Sequence, residues 1–177
     1  LGPLRIADLC PVGLPPREDH SVMRPSVIPG LVATAERNIR QGASALRYFE
    51  LGRVFRNAGG GKATDLEYDV IGLLLSGPLR PASWLEKPPL ATIHDLKALI
   101  GALIPGAPVQ FTPRDRDGFV LACDVLANGK PVGTAARLSP TRERQLDFTS
   151  PVFVAELDLA KLRPLLDRSR KVAGLPQ

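Results

Sequence analysis

Apolar residues in this chain recur at two spacings, every second residue and every third or fourth, and the switches between them divide it into strands and helices. Residues 4–9 alternate and predict a short strand, followed by a Pro/Gly-rich loop over 11–17. Helical spacing then places Leu31, Ala35 and Ile39 on one stripe of a helix over 27–41, with Ser26 as N-cap and Gly42 as the stop. Pro29 falls in the first turn, where its missing N–H is harmless. Residues 46–56 predict a strand with Phe49, Leu51, Arg53 and Phe55 on one face and Tyr48, Glu50, Gly52, Val54 and Arg56 on the other. Apolar residues on both faces predict a central strand, covered on both sides. A glycine-rich turn over 57–63 leads to a strand over 66–76, whose run Val70-Ile71-Gly72-Leu73-Leu74-Leu75 predicts full burial.

The second half repeats the pattern. A helix starts at Thr92 or a neighbour and ends near Ile104, before Pro105. Asn128-Gly129 between apolar runs over 119–127 and 131–138 predicts a tight hairpin, because both turn positions need positive φ. Ser139-Pro140 opens a short helix, residues 152–157 form a strand, and Asp158 caps a last helix towards Arg168 that Pro164 kinks or shortens. Hairpin connections dominate and no βαβ repeat occurs. The predicted fold class is α+β, a mostly antiparallel sheet flanked by helices on one side.

Composition narrows this picture little. With 177 residues, 44% hydrophobic, the chain can bury the core of one domain. A formal charge of +5 is compatible with a nucleic-acid partner, but the arginines are dispersed and the bland reading is a solvated basic surface. Cys10 and Cys123 form no metal or redox motif and read as single buried thiols in a reducing compartment. His20 and His94 lack neighbouring ligands. No apolar run reaches membrane-spanning length and no signal-peptide pattern is present. The chain starts mid-pattern at Leu1, which predicts a piece of a longer protein.

Several short constellations resolve to bland readings. Ser21, Ser26 and Ser44 lack a nucleophile-elbow setting. Gly59-Gly60-Gly61-Lys62 has the wrong spacing for a phosphate loop. Asp65, Glu67 and Asp69 alternate on one strand face and read as a solvated edge, while Asp115 and Asp117 read as surface charges paired with nearby arginines. Arg142-Glu143-Arg144 reads as a solvated charged turn.

Met23-Arg24-Pro25-Ser26-Val27-Ile28-Pro29-Gly30-Leu31, followed by Tyr48-Phe49-Glu50-Leu51-Gly52-Arg53-Val54-Phe55, resembles the signature of bacterial phenylalanyl-tRNA synthetase β subunits. Three further segments are similar to that family in the same order: Thr92 to Lys97, Gly118 to Arg137 and Ala155-Glu156-Leu157-Asp158-Leu159. Ile93 and His94 replace the usual aromatics, Ala98 replaces a glycine, and Ser139-Pro140 stands where His-Pro is usual.

The resemblance implies a class II synthetase-like fold for residues 1–177, a single catalytic-like module. By the same resemblance this is a partial module, with a motif-1-like helix upstream and an anticodon-binding domain downstream in the complete subunit. It implies a cytoplasmic, non-catalytic scaffold within an (αβ)2 heterotetramer, partnered by the α subunit, with no membrane. tRNA would be reached through other parts of the complex, and ATP and magnesium would belong to the complete enzyme. The stretch 52–58 is similar to motif 2 of the catalytic subunit, which makes Arg56 the candidate for nucleotide contact; Ala58 stands where an adenine-recognising acid is expected. Losing one such preorganised contact costs about 3 kcal/mol. No motif-3-like Glu-Arg follows a glycine-rich segment. No catalytic or metal-binding residue is therefore expected. Arg24, Ser26, Glu50, Gly52 and Arg53 are the structural family positions, and Arg24, Glu50 and Arg53 are expected to pair for stability. An independent ATP-binding synthetase paralogue and an RNA-binding module remain the rivals.

Overall fold

In the computed structural model, the described residues are 10–11, 22–56, 67–81 and 83–166. In chain order they form β1 (Cys10–Pro11), β2 (Val22–Met23), α1 (Ile28–Arg40), β3 (Leu46–Phe55), β4 (Glu67–Ser76), α2 (Ile93–Leu103), β5 (Val109–Pro113), β6 (Phe119–Ala127), β7 (Lys130–Leu138), α3 (Pro140–Gln145), β8 (Val152–Asp158) and α4 (Leu159–Leu166). The predicted strand over 4–9, the turn with Gly59 to Gly61, Ala58, and any helix beyond 166 lie outside the described residues.

The main sheet has six strands in the order β3-β4-β8-β7-β6-β5, every neighbouring pair antiparallel. The short β1 and β2 pair separately. Helices cover both faces, which corrects the expectation of one covered side. Ile71, Leu73 and Leu75 of β4 pack with Leu96 and Ile100 of α2 and Leu162 of α4. Val70 and Leu74 face the other way, against Val27 and Leu31 and Ala35 of α1. The period of two along β4 sends alternate side chains into two cores, which is why its apolar run is continuous.

Local signals account for most element ends. Asn128 and Gly129 have φ of 50° and 74°, the positive pair that a two-residue hairpin needs. Ser139 accepts a hydrogen bond from Arg142 N–H at 3.3 Å, and Asp158 accepts from Ala160 and Lys161 N–H at 3.0 and 3.3 Å. Pro164 lies inside α4. At α2, Asp95 reaches back to accept from the Thr92 N–H at 2.8 Å and its hydroxyl at 2.6 Å. α1 starts later than predicted: Val27, not Ser26, occupies the N-cap, and Ser26 Oγ accepts from Ile28 N–H at 3.2 Å.

Two strand expectations need correction. β3 lies at the sheet edge, and Phe49 and Leu51 are 71% and 63% exposed. Apolar alternation cannot distinguish a covered face from one left open. β5 was unforeseen because Val109–Pro113 is five residues long and ends in proline. An edge position tolerates that proline, since the outer N–H needs no sheet partner. Cys123 is buried but Cys10 is only partly so, and both are free. Burial pushes the Cys123 thiol pKa up, so this sulfur stays protonated and inert.

Two outcomes test this packing. A Cβ at Gly72 would meet Val27 Cγ2 at 2.5 Å and Leu31 Cδ1 at 2.8 Å, so Gly72→Ala should lower stability by about 1–3 kcal/mol in urea unfolding. The Thr92 hydroxyl and N–H hydrogen bonds hold the Asp95 carboxyl below its usual pKa. A depressed folded pKa stabilises the native state above the unfolded value, about 4, and that contribution fades as pH falls through the folded value. Asp95→Ala should therefore cost about 1 kcal/mol at neutral pH and progressively less below about pH 4.

Candidate functional site

Glu156 occupies the middle of β8, the third strand from the β3 edge, and lies opposite Gly72 on β4 and Thr134 on β7. It is only 7% exposed within the otherwise apolar run of β8. Because Gly72 carries no side chain, Val27 and Leu31 press close to the sheet here, bringing the start of α1 over the carboxylate. Arg56, just past the end of β3, reaches the same carboxylate from the side.

Both carboxylate oxygens have hydrogen-bond donors. Glu156 Oε2 accepts from Val27 N–H at 2.8 Å and from the Ser26 hydroxyl at 2.7 Å. Glu156 Oε1 accepts from Arg56 Nη2, and Arg56 Nε donates to the Pro25 carbonyl at 2.9 Å. The Arg56 and Glu156 side chains are 15% and 8% exposed. One carboxylate thus joins the end of β3, the turn before α1 and the centre of β8. Its position at the first N–H groups of α1 also suits the positive end of that helix.

A second, exposed layer surrounds this centre. Arg24 Nη1 pairs with Glu50 Oε1 at 2.6 Å, and Arg24 Nε donates to the Arg53 carbonyl at 2.8 Å. Phe55 N–H donates to the Arg24 carbonyl at 2.9 Å, so residue 24 fastens to the outer edge of β3 through both backbone and side chain. Arg53 turns away to Glu67 and Asp69, at 2.8 and 3.2 Å. The Asp69 hydrogen bond, then the Glu67 and Asp69 charges, push the Arg53 pKa further above its usual value. The pair is solvated, so the effect on stability is small. Gly52 lies between the Arg24 guanidinium and Glu50, where a Cβ would stand 2.5 Å from Arg24 Nη2.

The site therefore gathers Arg24, Ser26, Glu50, Gly52, Arg53 and Arg56 around the end of β3, but Arg53 does not pair with Glu50. Two nitrogens of Arg56, the candidate for nucleotide contact, are committed to Glu156 and the Pro25 carbonyl. Glu156 was overlooked by sequence reasoning. The signal was available: a lone carboxylate in a buried apolar strand demands a cationic partner. Glu143 makes the same point against the solvated-turn reading. It is 6% exposed, accepts from Val152 N–H at 2.9 Å and pairs with Arg137 at 3.3 Å, anchoring α3 to β8. Asp115 and Asp117 are exposed and make no ion pair among the described residues, and Arg114 takes Asp124 instead. No cluster of three metal-ligating side chains occurs among the described residues.

A sequence model of the family described as phenylalanyl tRNA synthetase beta chain CLM domain matches residues 7–159. The phenylalanine–tRNA ligase beta subunit of Salinibacter ruber is 35% identical over 162 residues, which is 84% of this chain and 20% of that protein. The corresponding subunit of Xanthomonas campestris is 33% identical over 168 residues, 93% of this chain and 21% of that protein. This chain thus spans about a fifth of the length of these relatives. Its fold is similar to that of Desulfitobacterium hafniense PylSc, a pyrrolysyl tRNA synthetase, with a TM-score of 0.60 and 15% identity over 80% of this chain and 49% of that one. The fold is class II synthetase-like.

Removing one partner of a buried ion pair leaves the other uncompensated. Glu156→Ala should accordingly lower unfolding stability by about 3–5 kcal/mol, and Arg56→Met in the same background should add little. Additive losses in that double-mutant cycle would show that the two side chains are not coupled.

Proposed function

Because this chain belongs to the phenylalanyl tRNA synthetase beta chain CLM domain family, we propose that it is a non-catalytic scaffold module of such a beta subunit. In the complete cytoplasmic enzyme it supports attachment of phenylalanine to its tRNA by an α subunit, within an (αβ)2 assembly. The observation that carries this reading is the state of Arg56. The arginine best placed to grip a nucleotide phosphate is closed off by an internal carboxylate, on a class II-like sheet. A guanidinium freed for phosphate would leave Glu156 buried and unpaired, which is energetically expensive.

ATP and magnesium then act on the partner subunit, and no reaction step is assigned to side chains here. A basic face for RNA receives little support. Arg24, Arg40, Arg53, Arg56, Arg114 and Arg137 each face a carboxylate within 3.3 Å, so much of the positive charge is internally compensated. Contacts with tRNA belong to other parts of the assembly.

Phenylalanine-dependent exchange of pyrophosphate into ATP separates the readings. The chain alone should give no exchange above background, while a catalytically complete α–β assembly should give it. Exchange by this chain alone, saturating with phenylalanine, would overturn the scaffold assignment and favour an independent synthetase.

A further inference from the structure

Asn128-Gly129 is the one Asn-Gly pair in the chain. Both residues are exposed at the tip of the β6–β7 hairpin, where the pairing of Ala127 with Lys130 closes the ladder. The turn is pinned at its start but not at its centre. Asn128 N–H donates to the Pro108 carbonyl at 3.1 Å, whereas among the described residues nothing meets the Asn128 side-chain amide or the Gly129 N–H. Glycine has no Cβ to crowd its nitrogen, and even a Cβ built at Gly129 would meet nothing within 4 Å. An unengaged amide carbon and an unengaged, unhindered backbone nitrogen thus stand next to each other in the chain. Asn38 has the opposite surroundings. It lies inside α1, its side-chain amide donates to the Thr34 carbonyl at 2.8 Å, and the β-branched Ile39 follows it.

We propose that Asn128 is a modification site, where the chain deamidates itself. The Gly129 nitrogen, after losing its proton to hydroxide, attacks Asn128 Cγ. The N–Cγ bond forms, the Cγ–Nδ2 bond breaks, and ammonia leaves with a proton from water. The product is a five-membered cyclic imide. Water then adds to either ring carbonyl and breaks its bond to nitrogen, leaving aspartate or isoaspartate at position 128. Either product places a new negative charge beside the exposed Lys130. The two differ in what they do to the hairpin. Aspartate accepts the φ of 50° as asparagine does, so the turn survives. Isoaspartate puts an additional main-chain carbon into a two-residue turn whose positive φ pair fits the twist of its strands. The pairing of Ala127 with Lys130 and the hydrogen bond to Pro108 are then lost.

The test is incubation of the folded chain at mildly alkaline pH in heavy-oxygen water, beside a sample unfolded in urea, followed by peptide mapping in a mass spectrometer. A heavy-oxygen-labelled acid at position 128 and an intact amide at Asn38 are expected in the folded sample, with isoaspartate recognised by electron-transfer fragmentation. Hairpin tips open at almost no cost in free energy, so the folded chain should convert at a rate within about tenfold of the unfolded one. Asn128→Gln would have to close a six-membered ring and should show no conversion over the same time. An Asn128 amide that persists in the folded chain while the unfolded chain converts would overturn the proposal. Conversion of Asn38 as fast as Asn128 in the folded chain would overturn it too. The comparison of folded with unfolded chain needs no substitution, so it decides the matter even if the glutamine variant folds poorly.

Discussion

The Glu156 carboxylate is the constraint around which the fold is arranged. A charge placed in the centre of a sheet, under a helix, is tolerable only if it is paired and its lone pairs are filled. Here those requirements recruit three distant parts of the chain: Arg56 at the end of β3, and Ser26 and Val27 at the start of α1. Each is separated from Glu156 by 100 residues or more in sequence. The carboxylate therefore fixes where α1 begins, how it is seated on the sheet, and where β3 ends. Gly72 is the complementary condition, since only a residue without a Cβ lets Val27 and Leu31 come down over this strand.

This arrangement links stability to the proposed scaffold role. In a catalytic sheet an arginine at this place must remain free to meet an anionic substrate, and its desolvation is compensated only when the substrate is bound. In this chain the compensation is permanent and internal. The positive charge serves to lock secondary-structure elements together, and a well-paired arginine suits the proposed scaffold. The outer pairs of Arg24 with Glu50 and of Arg53 with Glu67 and Asp69 extend that lock to the surface, where each is individually weak.

Much of the fold was legible in the sequence because its turns and caps are local. Asn128-Gly129, Ser139-Pro140 and Asp158 act through their own backbone neighbours, so their signals survive without knowledge of the tertiary structure. What was misread depends on long-range placement. Phe49 and Leu51 look like core residues in a strand, and only the order of strands reveals that β3 is an edge. Glu143 sits between two arginines and looks solvated, yet the end of the β7 strand and the start of β8 enclose it. In the site, the gathering of Arg24, Ser26, Glu50, Gly52 and Arg53 followed their adjacency in two short segments. Their hub did not, because Glu156 lies on a third strand and its partners are chosen by the sheet register.

The claim most in need of a direct measurement is that Arg56 is held by Glu156 and closed to nucleotides. The side-chain Nη2–H resonance of Arg56, observed by nitrogen NMR while ATP and magnesium are titrated in, reports on the atom that meets Glu156. A slowly exchanging Nη2–H whose position does not change across the titration is predicted, with its protection lost in Glu156→Ala. A saturable shift of the Arg56 signal on adding ATP would contradict the account.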